Sequence, residues 1–553
     1  GVGPAFSNTL TGKQGKFGFN SNIGFSDYEK PFTSRSIDRK TFGGNANNFN
    51  QIGGNETFSD SKFINLGLTY DVDTLNLLIA NLGLYNLGNE EILNLETSLT
   101  DLNGSLIQQY LVNSTKEAIS KELGFGFDYQ RNFAGRKDKI LNISYLFTNA
   151  KDVEENLTKF NGRFNYNAND FKQSNLYRQT EHIGQIDFTQ SVKKVKIDFG
   201  IKTIIRLGES DFNSVDNIGG TSFPTLVNQF DNNQYISSFY NSYQYKLKKW
   251  GFIAAYRFEL TKFKTLDSGN NISNSYQNFL PNLALNYNIN GNESINFIYL
   301  KAIRRPNISY LNPFENKLNP NLEVVGNPNL LPITQNNFNI QYRRFKKSSL
   351  VLGLKYSFSN NLIQQILTNT SNDGVFRLTY SNIGKKNDIS SNLSFNQSLN
   401  KAINLNLSGN LIYSNLTGTV NGLNQNNSGF TGDFNLGLNF AFKDLTQLSS
   451  RVNYSAPSIF LQGQRNNFPY VIFGVSRSFF KKKLSLSGSL INPFTKLRNI
   501  ESNYLDDNFV QNSLSEFFFR QYQIRMNYRF GQLKKTSRTN RKSIQNNDAI
   551  GVK

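Results

Sequence analysis

The chain has no cysteine and a single histidine, His182. Disulfides, thiol nucleophiles and thiolate metal sites are therefore excluded, and so is any multi-histidine metal centre. Nothing around His182 supports a Ser-His-Asp constellation. The sequence thus assigns no catalytic, cofactor-binding or metal-ligating residue and reads as that of a non-enzyme. Proline is scarce, with 12 in 553 residues. No apolar run approaches the roughly 18 residues that a membrane-crossing helix needs. Signal peptide and initiator Met are both missing at residue 1, so the chain reads as mature, trimmed or a fragment.

Aromatic residues, by contrast, are plentiful at 14 %, with 48 Phe and 26 Tyr, yet the mean hydropathy is only −0.47. The two facts agree if half of each strand is apolar and the connections are polar. Period-two alternation supplies the strands. Near the C-terminus Tyr522, Ile524, Met526, Tyr528 and Phe530 alternate with Gln523, Arg525, Asn527 and Arg529. The same pattern recurs in Phe17–Phe25, Leu283–Ile289, Leu352–Phe358, Ile403–Tyr413 and Phe434–Phe442. The polar partners are mostly Asn, Ser, Gly, Gln and Lys, which suit water rather than a protein core. The pattern favours a barrel with a lipid-facing exterior and a wet lumen over a soluble sandwich. Without helices, only a closed barrel satisfies every backbone group in lipid.

Ten short turn signals recur, many of them basic. Among them are Gly12–Gly15, Asp71–Thr74, Gly135–Asp138, Lys193-Lys194, Lys248-Lys249, Lys346-Lys347 and Lys481–Lys483. They are separated by roughly 40 to 65 residues, room for two spanning strands of about ten residues and a long outer loop. Those loops are expected near 28–60, 87–118, 150–178, 302–337 and six further polar stretches. Ten hairpins plus a first strand over residues 2–10 make about twenty-one strands, and bacterial single-chain barrels have even numbers. The expectation is therefore a large antiparallel transmembrane β-barrel over residues 1–530 that lacks an N-terminal strand. Residues 531–553 are basic and aperiodic, expected to form a flexible periplasmic tail.

The net charge of +20 raises nucleic acid as a partner. The basic residues cluster at the short turns and in the tail, however, without aromatic neighbours on one surface. Contact with lipid headgroups at the rim explains them better, and no nucleic-acid partner is assigned. His182 shares a register with Ile186 and Phe188 and reads as an interfacial belt residue rather than a ligand or proton relay.

One region carries a family resemblance. After a strand to Leu300 come Arg304-Arg305-Pro306, then Asn312-Pro313-Phe314, then Gly326-Asn327-Pro328-Asn329-Leu330-Leu331-Pro332. This order resembles the mid-barrel region of TonB-dependent outer-membrane receptors of the Bacteroidetes type, although Ile333 stands where that group commonly has an acidic residue. The resemblance implies a barrel of about 22 strands in the outer membrane of a Gram-negative bacterium. It implies energy-coupled uptake of a scarce, bulky nutrient, with an upstream plug domain and a periplasmic energy-transducing partner. The proline-rich segment itself reads as a rigid external loop, with or without a ligand role. A plugless passive or secretion-associated channel, a surface adhesion barrel and a soluble extracellular β-protein are the competing readings.

Overall fold

The computed structural model describes residues 3–531, apart from 43–46, 219–220, 268–269, 320 and 370–374, together with Ile544. One antiparallel sheet takes up nearly all of it. Numbered in chain order, β1 (Ala5–Gln14), β2 (Phe17–Thr41), β3 (Asn48–Asp71) and β4 (Asn76–Thr100) begin the wall. It continues through β5 (Leu106–Phe133), β6 (Arg136–Phe164), β7 (Asp170–Val192) and β8 (Val195–Ile218). Next come β9 (Thr221–Leu247), β10 (Trp250–Asp267), β11 (Asn270–Asn290) and β12 (Glu293–Arg304). A short helix α1 (Ile308–Leu311) and the hairpin β13 (Glu315–Asn319) and β14 (Leu322–Val325) interrupt the wall before β15 (Ile333–Phe345) resumes it. It proceeds through β16 (Ser348–Asn369), β17 (Phe376–Ser398), β18 (Ile403–Val420), β19 (Leu423–Ala441) and β20 (Thr446–Ser455). A second small hairpin, β21 (Ser458–Phe460) and β22 (Gly463–Arg465), precedes β23 (Tyr470–Phe479). The wall ends with β24 (Leu484–Ile491), β25 (Leu497–Asp506), β26 (Phe509–Phe518) and β27 (Gln521–Tyr528).

Each of the ten turn signals read from the sequence joins two neighbouring strands at one end of the wall. Positive φ at Gly15, Gly135, Lys193 and Lys248 gives four of these tight turns their left-handed residue. At this periplasmic level twenty-one strands stand side by side among the described residues, from β1 to β27. The polar stretches expected as outer loops are instead mostly strand. Residues 28–41 and 48–60, for example, form the outer halves of β2 and β3, paired from Phe17↔Tyr70 up to Lys40↔Asn48. Alternation fades there because both faces meet water, while the ladder hydrogen bonds continue. A strand of 24 residues such as β3 rises about 80 Å, against the 9–11 residues that suffice to cross the hydrocarbon. The barrel therefore stands far out beyond the membrane.

Exposure separates the two registers. On β8, Phe199 and Ile201 are 41 % and 52 % exposed, whereas Ile204 and Arg206 on the lumenal register are 4 % and 7 % exposed. Ile201→Lys puts a charge on the lipid side of the membrane band, next to the lumenal Lys202. It is expected to cost about 2–4 kcal/mol, measured as a lower urea midpoint for the refolded barrel in lipid vesicles. Trp250, the chain's single tryptophan, opens β10 at the periplasmic rim, its ring 4.5 Å from that of Tyr287. Inside, the cross-strand row Leu146↔Ile183↔Ile204↔Ile236 forms an apolar patch on the lumen wall, and Ile544 packs against it. Residues 532–543 and 545–553 of the expected tail lie outside the described residues.

The described wall closes at its outer end and leaves two edges at the other. Above, β2 pairs with β26 from Ser34↔Glu516 to Thr41↔Phe509. Below, among the described residues, β1 pairs only with β2, and β27 only with β24. Tyr522, Ile524, Met526 and Tyr528 stand on this free edge strand at 73, 93, 71 and 59 % exposure, followed by Phe530 at 56 %. Both edge strands run toward the periplasmic end.

Candidate functional site

The segment between β12 and β15 determines what the barrel can do. Arg304 and Ile333 are direct cross-strand partners, so everything between them is an insertion into one hairpin. Proline-rich sequence keeps it out of the ladder. It does not project outward as an external loop, as expected. It folds inward across the mouth.

Arg305 is 1 % exposed. Its guanidinium donates to Glu259 Oε2 at 2.6 Å and to Thr261 Oγ1 at 3.0 Å, both on β10. Glu259 also receives Arg257 Nε at 2.6 Å. Two strands away, Arg206 donates to Glu181 at 2.6 Å and to Gln234 at 3.0 Å. A layer of buried ion pairs thus lies on the lumen wall at the base of the insertion. These pairs fix geometry, because each charge is costly to leave without its partner.

Above this layer α1 drops into an apolar cluster. Ile308 and Leu311 pack with Phe230 from one side of the barrel, with Tyr380 from the other, and with Leu330 of the insertion's own return path. Asn307 caps the turn, accepting from the Ser309 amide at 3.1 Å. Tyr310 stacks on Tyr380 of β17 at 4.2 Å. Asn312 Nδ2 donates to Ser210 Oγ of β8 at 2.8 Å, and Phe314 stacks on Phe212 at 4.3 Å.

The return path is held as firmly. Strand β14 pairs in parallel with the start of β17, Leu322 opposite Phe376, and Glu323 accepts from Arg377 at 3.0 Å. Asn321 donates to the Tyr110 hydroxyl of β5. Burial pushes that phenol up to about 12, so it stays protonated at neutral pH. The Gly326 and Asn327 amides donate to the carbonyls of Asn312 and Tyr310 at 3.0 and 2.7 Å. Asn327 Nδ2 donates to the Tyr380 carbonyl at 2.8 Å.

Of the residues singled out in the sequence, the structure brings Arg305, Pro306, Asn312 and Asn327 into this strap, with Pro313 and Pro328 half-buried along it. Arg304 is exposed at the strand end. Gly326 lies against the backbone of Asn312, where a Cβ has no room. Gly326→Ala is expected to loosen the strap at a cost of about 1–3 kcal/mol, seen as faster proteolysis within 306–332 while the wall stays protected.

Three contributors escaped the sequence reading. Arg39 of β2 lies 3.6 Å from the Phe376 ring centroid and 4.4 Å from that of Phe49, and burial depresses it to about 9. Gln462, between β21 and β22, exchanges hydrogen bonds with both backbone groups of Leu367 at 2.9 and 3.0 Å. Glu259 is the third. Their only trace in sequence is a charged or amide residue within an otherwise ordinary strand or loop. His182 sits on the outer wall, its Nδ1 2.9 Å from the Tyr145 hydroxyl and its ring 5.2 Å from that of Phe147.

The strap joins β5, β8, β9 and β10 to β17, strands on opposite sides of the wall. A lipid-facing exterior, a wet lumen and a mouth crossed by a folded strap define a large outer-membrane barrel with a restricted entrance. Residues 131–528 match the outer membrane protein beta-barrel family, and the chain belongs to that family. Its place is the outer membrane. Among solved structures it is similar to the siderophore receptor PiuA from Acinetobacter baumannii, with 12 % identity, TM-score 0.54, and coverage of 92 % of this chain and 82 % of that one. It is likewise similar to BauA, the ferric preacinetobactin receptor from Acinetobacter baumannii, at 9 % identity, TM-score 0.51, and 91 % and 85 % coverage. The copper transporter OprC aligns at 9 % identity, TM-score 0.54, and 89 % and 85 % coverage. These likenesses agree in fold with the resemblance read from the sequence. No curated protein matches the chain.

Proposed function

We propose that this barrel is the wall and entrance of a TonB-dependent importer that takes up a scarce, bulky nutrient across the outer membrane. The observation that carries the reading is the strap. A passive diffusion channel is served by an unobstructed lumen, whereas here a folded segment spans the mouth and is latched by a buried ion pair. Siderophore and metal cargoes named for the similar structures fit the same plan. A plug in the lumen and a periplasmic energy-transducing protein are the partners it requires. The parallel free edges of β1 and β27 support one further strand, antiparallel to both, which brings the wall to an even number.

The test is uptake against conductance. The barrel reconstituted alone should pass little current in planar bilayers. Cells expressing the full system should lose accumulation of the cargo on addition of a protonophore. A steady, large conductance together with protonophore-insensitive uptake would establish the passive channel instead.

A further inference from the structure

The outer wall carries a row of cations that climbs across neighbouring strands. Lys62 of β3 is opposite Asn86 of β4, Asn86 opposite Lys121 of β5, Lys121 opposite Lys151 of β6, and Lys151 opposite Arg178 of β7. Directly opposed residues share a face, and this face is the lipid-facing one. Ile64, Leu123, Tyr145 and Ile186 follow below in the same registers, between 36 and 49 % exposed.

The height is informative. Lys62 stands nine residues above the periplasmic end of β3, and Lys151 fifteen above that of β6. With a strand tilt of about 40° that is roughly 25 to 40 Å, from the top of an apolar band about 25 Å tall into the layer just above it. These residues are the first charges above the hydrocarbon, where the headgroups of the outer leaflet lie. Like charges directly opposite one another on a sheet are destabilising. Lys121 and Lys151 are exposed, and neither has an anionic partner among the described residues. Lys62 and Arg178 have only exposed, long contacts, to Asp60 at 3.5 Å and Glu209 at 3.8 Å.

Beneath the row the wall is concave. A groove of about 940 Å³ is floored by Phe25, Ile64, Leu84 and Leu123 and rimmed by Lys62, Lys121 and Lys151. At the rim, between two of the lysines, the Asn86 Oδ1 is buried with no hydrogen-bond partner among the described residues. The floor suits acyl chains, the lysines suit phosphates, and an unpaired amide oxygen suits a sugar hydroxyl. We propose that this groove is a binding site for a phosphorylated, acylated disaccharide lipid of the outer leaflet, held by its phosphates on Lys62, Lys121, Lys151 and Arg178.

The test is native mass spectrometry of the detergent-solubilised protein titrated with a bisphosphorylated acyl-disaccharide lipid. The same lipid without phosphates and a zwitterionic phospholipid serve as comparisons. The native protein should retain the phosphorylated lipid, with retention falling as salt is raised. Lys62→Gln/Lys121→Gln/Lys151→Gln should weaken it on the order of tenfold. Lys121→Arg/Lys151→Arg should keep it, and Lys248→Gln/Lys249→Gln at the opposite rim should leave it unchanged. Unaltered heat-modifiable mobility verifies that each variant folds. Equal retention by the triple variant, equal binding of the dephosphorylated lipid, or full displacement by millimolar inorganic phosphate would overturn the proposal.

Discussion

Replacing residues 307–331 by a short Gly-Ser turn is expected to raise the single-channel conductance of the reconstituted barrel several-fold. The graft is geometrically mild. Arg304 and Ile333 already face one another as ladder partners, about 5 Å apart as such pairs are, so a hairpin turn closes the gap without disturbing the wall. What disappears is the chord between β5, β8, β9 and β17. The Asn312–Ser210, Asn321–Tyr110 and Asn327–Tyr380 hydrogen bonds go with it, as does the cluster around Ile308 and Leu311. Planar-bilayer recording gives the answer directly. A current equal to that of the native barrel would show that the obstruction lies elsewhere in the lumen, and the strap would lose its place as the feature that restricts the entrance.

Arg305→Ala is the single substitution expected to do most harm. Arg305 and Glu259 are 1 % and 5 % exposed at the side chain, and removing one member leaves the other charge buried. Losses of about 3–5 kcal/mol accompany such changes. The half-exposed Arg257 still faces Glu259 and holds the loss to the lower end of that range; the Arg305→Ala/Glu259→Gln double variant, which removes the buried charge itself, should recover a good part of it. Guanidinium unfolding in detergent, read as a double-mutant cycle, measures it. Conductance noise on the single variant should also increase as the strap loses its base. An Arg305→Ala barrel as stable and as quiet as the native one would remove the latch from the account.

Much of this architecture is legible in sequence, and the reason differs from part to part. The ten periplasmic turns are visible because they are short and sit between strongly alternating segments. The lipid face is visible because Phe, Tyr and Leu must occupy every second position there. The outer halves of the strands are hidden because water wets both sides and no register is selected. Residues 28–40 with 48–59, and 151–158 with 171–178, look like loops although they pair strand to strand. The strap is half-legible. Its prolines announce a break in the ladder between Pro306 and Pro332, but its direction is set by Glu259, which lies 46 residues before Arg305. No local pattern joins them. Arg39 and Gln462 escape for the same reason, since each meets its partner only when the tops of distant strands converge.

Trp250 has a consequence for how the insertion of this barrel can be watched. It is the chain's only indole, placed at the rim that reaches the inner leaflet, beside Tyr287. Its emission will therefore report one event alone, the arrival of the trailing rim at its final depth. Bromine-labelled acyl chains quench by contact, so lipids brominated at successive depths turn that single fluorophore into a clock for membrane assembly. Closure of the far mouth stays spectroscopically silent, and the two stages separate without any label being added.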